Sequence, residues 1–82
     1  MIKIVDIKLQ NNKFIAKYIP EDSQKKYCVE YDFETNNYNW EEAKEYGATY
    51  GRMAVNGLKE LTKDLKEGSS FVIPKEKIVM WY

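Results

Sequence analysis

The chain has 82 residues, 44% hydrophobic and 32% charged, and its thirteen basic and thirteen acidic side chains balance to zero. That composition suits one small globular domain spanning residues 1–82 and is wrong for a disordered tract. With no histidine and one cysteine, Cys28, the chain has no internal disulfide, no Cys/His zinc cluster and no Ser–His or Cys–His nucleophile pair.

Ile2 to Leu9 is β-branched with single polar interruptions and reads as a strand. Asn11 and Asn12 tolerate positive φ at both positions of a type I′ turn, and Phe14 to Ile19 returns as the second strand. This register sets Leu9 against Phe14, Ile7 against Ala16 and Val5 against Tyr18. On the other side it sets Lys8 against Ile15, Asp6 against Lys17 as an ion pair, and Ile4 against Ile19. The second face is then not cleanly polar, since Ile2, Ile4, Ile15 and Ile19 fall on it, and a cover is expected there. After a polar loop, "YCVEYDF" alternates strictly, with Tyr27, Val29, Tyr31 and Phe33 on one face and Cys28, Glu30 and Asp32 on the other.

"ETNN" turns the chain. Asn39 then suits a helix N-cap, with Glu42 completing a capping box. A helix of about 28 residues is expected, long for a globular domain. Its apolar stripe runs through Trp40, Ala43, Gly47, Tyr50, Ala54, Leu58, Leu61 and Leu65, and Gly68 stops it in a left-handed conformation. "FVI" before Pro74 is extended, Lys75 to Lys77 form a turn or polar bridge, and Ile78 to Trp81 form a last strand. The expected fold class is α+β: an antiparallel sheet of three to five strands, one long helix on one face, order β-β-β-α-β.

Gly47, Gly51 and Gly57 interrupt that helix at about 1 kcal/mol each relative to alanine. Gly47 lies on the stripe, and Gly51 and Gly57 lie on its two edges. The first reading is a close approach of the helix to an aromatic sheet. The second is a helix–helix contact across a two-fold axis through Gly47, Gly51 and Ala54. The third is a break or a ligand-facing loop near Gly47 to Gly51. No Gly-Lys-Ser/Thr follows, against a phosphate-binding loop. At the edge of the stripe, Gly57 is expected to tolerate alanine better than Gly47.

Charge is unevenly placed. Residues 1–26 carry six lysines against three acids, 27–45 carry six acids against Lys44, and 46–82 carry six basic residues against four acids. Glu30, Asp32 and Glu34 at period two form a candidate acidic face, which acts either as an acid–base or hard-cation site or as a solvated face paired to Lys13 and Lys17. Lysines lie beside aromatics at Lys17–Tyr18, Lys26–Tyr27 and Lys77 to Trp81, a mixture that binds nucleic acid when gathered on one basic face. Zero net charge and the acidic strand oppose phosphate, so nucleic acid is not the expected partner. Trp81 and Tyr82 are either core residues of the last strand or interface anchors.

No catalytic, cofactor-binding or metal-binding residue can be nominated, and the expectation is a binding protein without cofactors, not an enzyme. Candidate close-packing or interface residues are Gly47, Gly51, Ala54, Trp81 and Tyr82. The expected function is a self-associating interaction or regulatory module, a homodimer, with another protein as a further partner. The alternatives are a nucleic-acid-associated protein or an acidic-faced inhibitor of a basic protein groove. The lone cysteine points to a reducing compartment, the cytoplasm, and no apolar run is long enough to span a bilayer. The charges in "MIKIVDIKLQ" oppose a signal peptide. Twelve lysines against one arginine point to an AT-rich genome such as that of a low-GC bacterium.

Overall fold

The computed structural model describes residues 1–20, 23–42, 49–68 and 71–79. Along the chain run β1 (Ile2–Gln10), β2 (Lys13–Pro20), β3 (Tyr27–Asp32), β4 (Asn37–Trp40), α1 (Thr49–Glu67) and β5 (Glu76–Val79). They form a five-stranded sheet in the order β4-β3-β2-β1-β5 with every neighbouring pair antiparallel. The helix packs on one face, as an α+β chain requires to bury an apolar stripe. Four strands meander before the helix, one more than expected, and β5 returns on the far edge beside β1.

The first hairpin holds the expected register only near its turn. Leu9 faces Phe14 and Lys8 faces Ile15, but a β-bulge then shifts the pairing, so that Val5 faces Lys17 and Ile4 faces Tyr18. Asp6 lies in the bulge with a φ of 53°. One extra residue on β1 inverts the alternation of everything before it. Ile2 and Ile4, expected on the second face, therefore lie in the core at 1% and 0% exposure. The expected Asp6–Lys17 pair does not form, because the bulge turns Asp6 aside, and its carboxylate meets Lys26 Nζ at 3.1 Å. At the turn only Asn11 has positive φ, 56°, so the φ pattern is that of type II′ and not type I′.

Asp6 sits where an L-residue pays about 1–2 kcal/mol for the left-handed region. Asp6→Val, β-branched and without a local hydrogen-bonding side chain, is expected to lower stability by about that amount or more. Asp6→Gly should stay within about 1 kcal/mol of the parent, since it loses only an exposed ion pair. Urea unfolding of both variants checks this, and equal stability of the two would contradict it.

Residues 37–40 form strand β4, not the start of the helix, which corrects the assignment of Asn39 as N-cap and of Trp40 to the helical stripe. Asp32 pairs with Asn37 and Val29 with Trp40, and Asn36 turns the chain with a φ of 61°. Beyond β4 the pairing continues, with Glu41 N–H donating to Cys28 O at 2.7 Å. The hydroxyl of Tyr18, fully buried, donates to Glu41 O at 2.6 Å. These bonds use the backbone around Trp40 in the sheet, so it cannot enter a helix there. The described helix spans 19 residues, and Gly47, with any break beside it, lies outside the described residues. Gly68 follows the helix as a stop, but not in the left-handed region, because its N–H continues the ladder to Asp64 O at 2.9 Å. The last strand begins at Glu76, two residues before the expected start, so Glu76 and Lys77 belong to the sheet and not to a turn.

The core lies between helix and sheet, with Phe14, Ala16 and Tyr18 of β2 and Val29 and Tyr31 of β3 facing Ala54, Val55, Leu58 and Leu61. Two helical glycines flank that stripe and let each sheet edge approach. A Cβ on Gly51 would overlap the indole of Trp40 on β4. A Cβ on Gly57 would stand 2.5 Å from Ile4 Cδ1 and 2.8 Å from Val79 Cγ2. Gly57 is thus a buried contact position at the edge of the stripe, and Gly47, against which its tolerance of alanine is set, lies outside the described residues.

Candidate functional site

Among the described residues no helix lies on the second face of the sheet. The pairing places its residues in rows across the strands. Ile78, Lys3 and Ile19 make one row, and Glu76, Val5, Lys17 and Cys28 the next. Lys8, Ile15, Glu30 and Asn39 make the third, and Gln10, Lys13, Asp32 and Asn37 the fourth. Val5, Ile15 and Ile19 are half-buried, and Ile78 is 52% exposed. The aliphatic groups run diagonally through a field of lysine and carboxylate. Charge is segregated by strand, with Lys3, Lys8, Lys13 and Lys17 on β1 and β2, Glu30 and Asp32 on β3, and Glu76 on the opposite edge. Lys13 Nζ lies 3.4 Å from Glu30 and Lys3 Nζ 3.7 Å from Glu76. At such exposure each pair contributes at most about 1 kcal/mol.

The three expected acidic residues do not share one face. Glu30 pairs with Lys13. Asp32 Oδ1 accepts the N–H groups of Glu34 at 3.0 Å and Thr35 at 3.2 Å, so it shapes the β3–β4 turn. Glu34 has left the strand, since β3 ends at Asp32, and accepts a hydrogen bond from the Asn12 side-chain amide. Among the described residues no three Cys, Asp or Glu side chains gather as a metal site would require. Cys28 is a free, exposed thiol beside Lys17.

Gly51 and Ala54 both lie inside the chain, Gly51 against Trp40 and Ala54 at 0% exposure in the core. Gly47, Trp81 and Tyr82 lie outside the described residues. A further group is Tyr38 and Trp40 on β4 facing Arg52, Asn56 and Lys59 on α1 across a cleft. Reading residues 39–42 as a helix start hid it. The available signal was the alternation of "NYNW", with both aromatics on one side.

No protein-family model matches the chain, and neither a curated protein nor a solved structure is significantly similar to it. No described helix is long and apolar enough to cross a membrane.

Proposed function

We propose that the chain is a self-associating interaction module, without catalytic activity, whose contact surface is the open face of the sheet and whose partner is a second copy. The observation that carries this reading is the segregation of charge around the aliphatic diagonal. A two-fold axis parallel to the strands, running between β2 and β3, lays the β3 strand of one copy over the β2 strand of the other. Asp32 then opposes Lys13 of the other copy, twice over, while Glu30 covers Ile15 in the next row, within one row of Lys13 and Lys17. An isologous contact of this kind demands self-complementarity, and a zero-charge chain with unlike adjacent strands supplies it. An 82-residue domain also gains from a second buried surface, because its single core is small.

The separation of Glu30, Asp32 and Glu34 argues against the acidic-inhibitor alternative. Zero net charge argues against duplex nucleic acid as a partner. An exposed free thiol fits a reducing compartment such as the cytoplasm.

Ile15→Glu and Ile19→Glu test the surface. Each puts a carboxylate on the open face, away from the core beneath the helix. The expected result is a dimer dissociation constant raised at least about tenfold, with unchanged urea unfolding at protein concentrations too low for association. Cys28 is a second readout, since its alkylation should slow as protein concentration rises in the parent but not in the variants. Unchanged association in both variants would reject this face.

A further inference from the structure

The cleft between β4 and α1 lies on the helix side of the sheet edge, away from the open face. Tyr38 and Trp40 form one wall, their rings parallel within 2° and their centroids 5.6 Å apart. Tyr38 is 53% exposed. The other wall is a single line of α1, since Arg52, Asn56 and Lys59 are spaced four and three residues apart and share one side of a helix. Val55 completes the lining. Lys59 Nζ stands 5.6 Å from the Tyr38 ring centre and 5.7 Å from that of Tyr31, so two π faces hold the ammonium in place. The Arg52 and Asn56 side chains make no ion pair or hydrogen bond with another described residue. Among the described residues no carboxylate lines the cleft. On a chain of zero net charge, two cations therefore line one cleft beside an aromatic wall, with no acid among the described lining.

We propose that this cleft binds a nucleoside monophosphate unit, a nucleobase carrying one phosphate. Tyr38 remains 53% exposed although Trp40 stacks on it and Lys59 lies over its ring, and that exposed ring surface is of the kind every base accepts. The Arg52 guanidinium matches phosphate as a bidentate fork, and Lys59 adds a point charge. Asn56 presents both a donor and an acceptor, which suits the edge of a base. The cleft volume of about 300 Å³ lies at the small end of ligand sites and holds a single unit. Zero net charge does not oppose this, because one mononucleotide needs local cations and not a basic face along a strand.

The test is an NMR titration of the full chain with adenosine 5′-monophosphate, with adenosine and inorganic phosphate as separate probes. The expected result is saturable movement of the Trp40 indole N–H and of the backbone amides from Arg52 to Lys59. Adenosine and phosphate alone should each bind at least about tenfold more weakly, as should the mononucleotide to Arg52→Gln and Tyr38→Leu. Both side chains are exposed, and an otherwise unchanged parent spectrum establishes that the variants fold. A single-stranded oligonucleotide distinguishes the source. No tighter binding per chain than the mononucleotide assigns a free nucleotide, and tighter binding assigns a strand, with the same chemistry in either case. An indole N–H that stays still at millimolar mononucleotide, shifts fully reproduced by phosphate alone, or unchanged affinity in Arg52→Gln would overturn the proposal.

Discussion

Replacing Phe14 with alanine is expected to cost about 3–5 kcal/mol of stability. Phe14 is fully buried on β2, the central strand. Its ring meets Phe33 from the β3–β4 turn at 5.8 Å and Phe71 from the segment after the helix at 6.3 Å. It therefore ties together three parts of the chain that are distant in sequence, and each ring contact adds about 0.5–1.5 kcal/mol beyond the area buried. A domain of this length has only about 4–12 kcal/mol in total. The variant should show a large fall in urea midpoint with little change in slope, and at the low end of that range it is unfolded without denaturant. A midpoint near that of the parent would mean that the three rings are not the centre of the core.

Gly51→Leu should be the next most harmful change. On helix propensity alone, replacing this glycine stabilises by up to about 1 kcal/mol. The structure reverses that sign. The first side-chain carbon added at Gly51 would overlap Cδ1, Nε1 and Cγ of Trp40, and an indole is rigid, with no flexible end to turn away. Trp40 is also anchored through the pairing of β4 with β3. Either the helix lifts or the edge strand detaches, and the expected cost is about 1–3 kcal/mol or more. Gly51→Ala separates the two effects, since propensity favours it and Trp40 opposes it. Urea unfolding with Trp40 indole resonances as a local probe decides the matter. Should Gly51→Leu be as stable as the parent, close packing of helix on β4 is wrong.

The sheet-plus-helix plan was legible because its signals are local. β3 alternates strictly, the Asn-Asn turn fixes the near half of the hairpin, and the leucines of α1 recur at helical spacing. The bulge was legible too, but in a subtler form. In "IKIVDIKL" the apolar positions are 2, 4, 5, 7 and 9, so the phase changes at Ile4–Val5, and Asp6 just beyond is one of the few residue types that accept its φ. Keeping one register across that break put Ile2 and Ile4 on the second face, where a cover had to be supposed. Strand β4 was hidden by competition. Asparagine is depleted in strands, and Asn39 with Glu42 imitates a capping box, so local chemistry pointed to a helix while pairing with Val29 and Tyr31 decided otherwise. The cleft beside β4 followed that strand out of view, because nothing near Tyr38 in sequence announces Arg52 or Lys59. The roles of Gly51 and Gly57 could be placed on the stripe's edges from spacing alone. What each glycine admits, an indole at one edge and Ile4 with Val79 at the other, depends on strands whose order only tertiary pairing determines.

The open face of the sheet as a self-association surface is tested most directly by sedimentation equilibrium of the parent chain from low to high micromolar concentration. A species of twice the 9.7 kDa chain mass, populated increasingly with concentration and lost in Ile19→Glu, is the predicted result. A parent chain that stays at 9.7 kDa throughout, indistinguishable from Ile19→Glu, would contradict it.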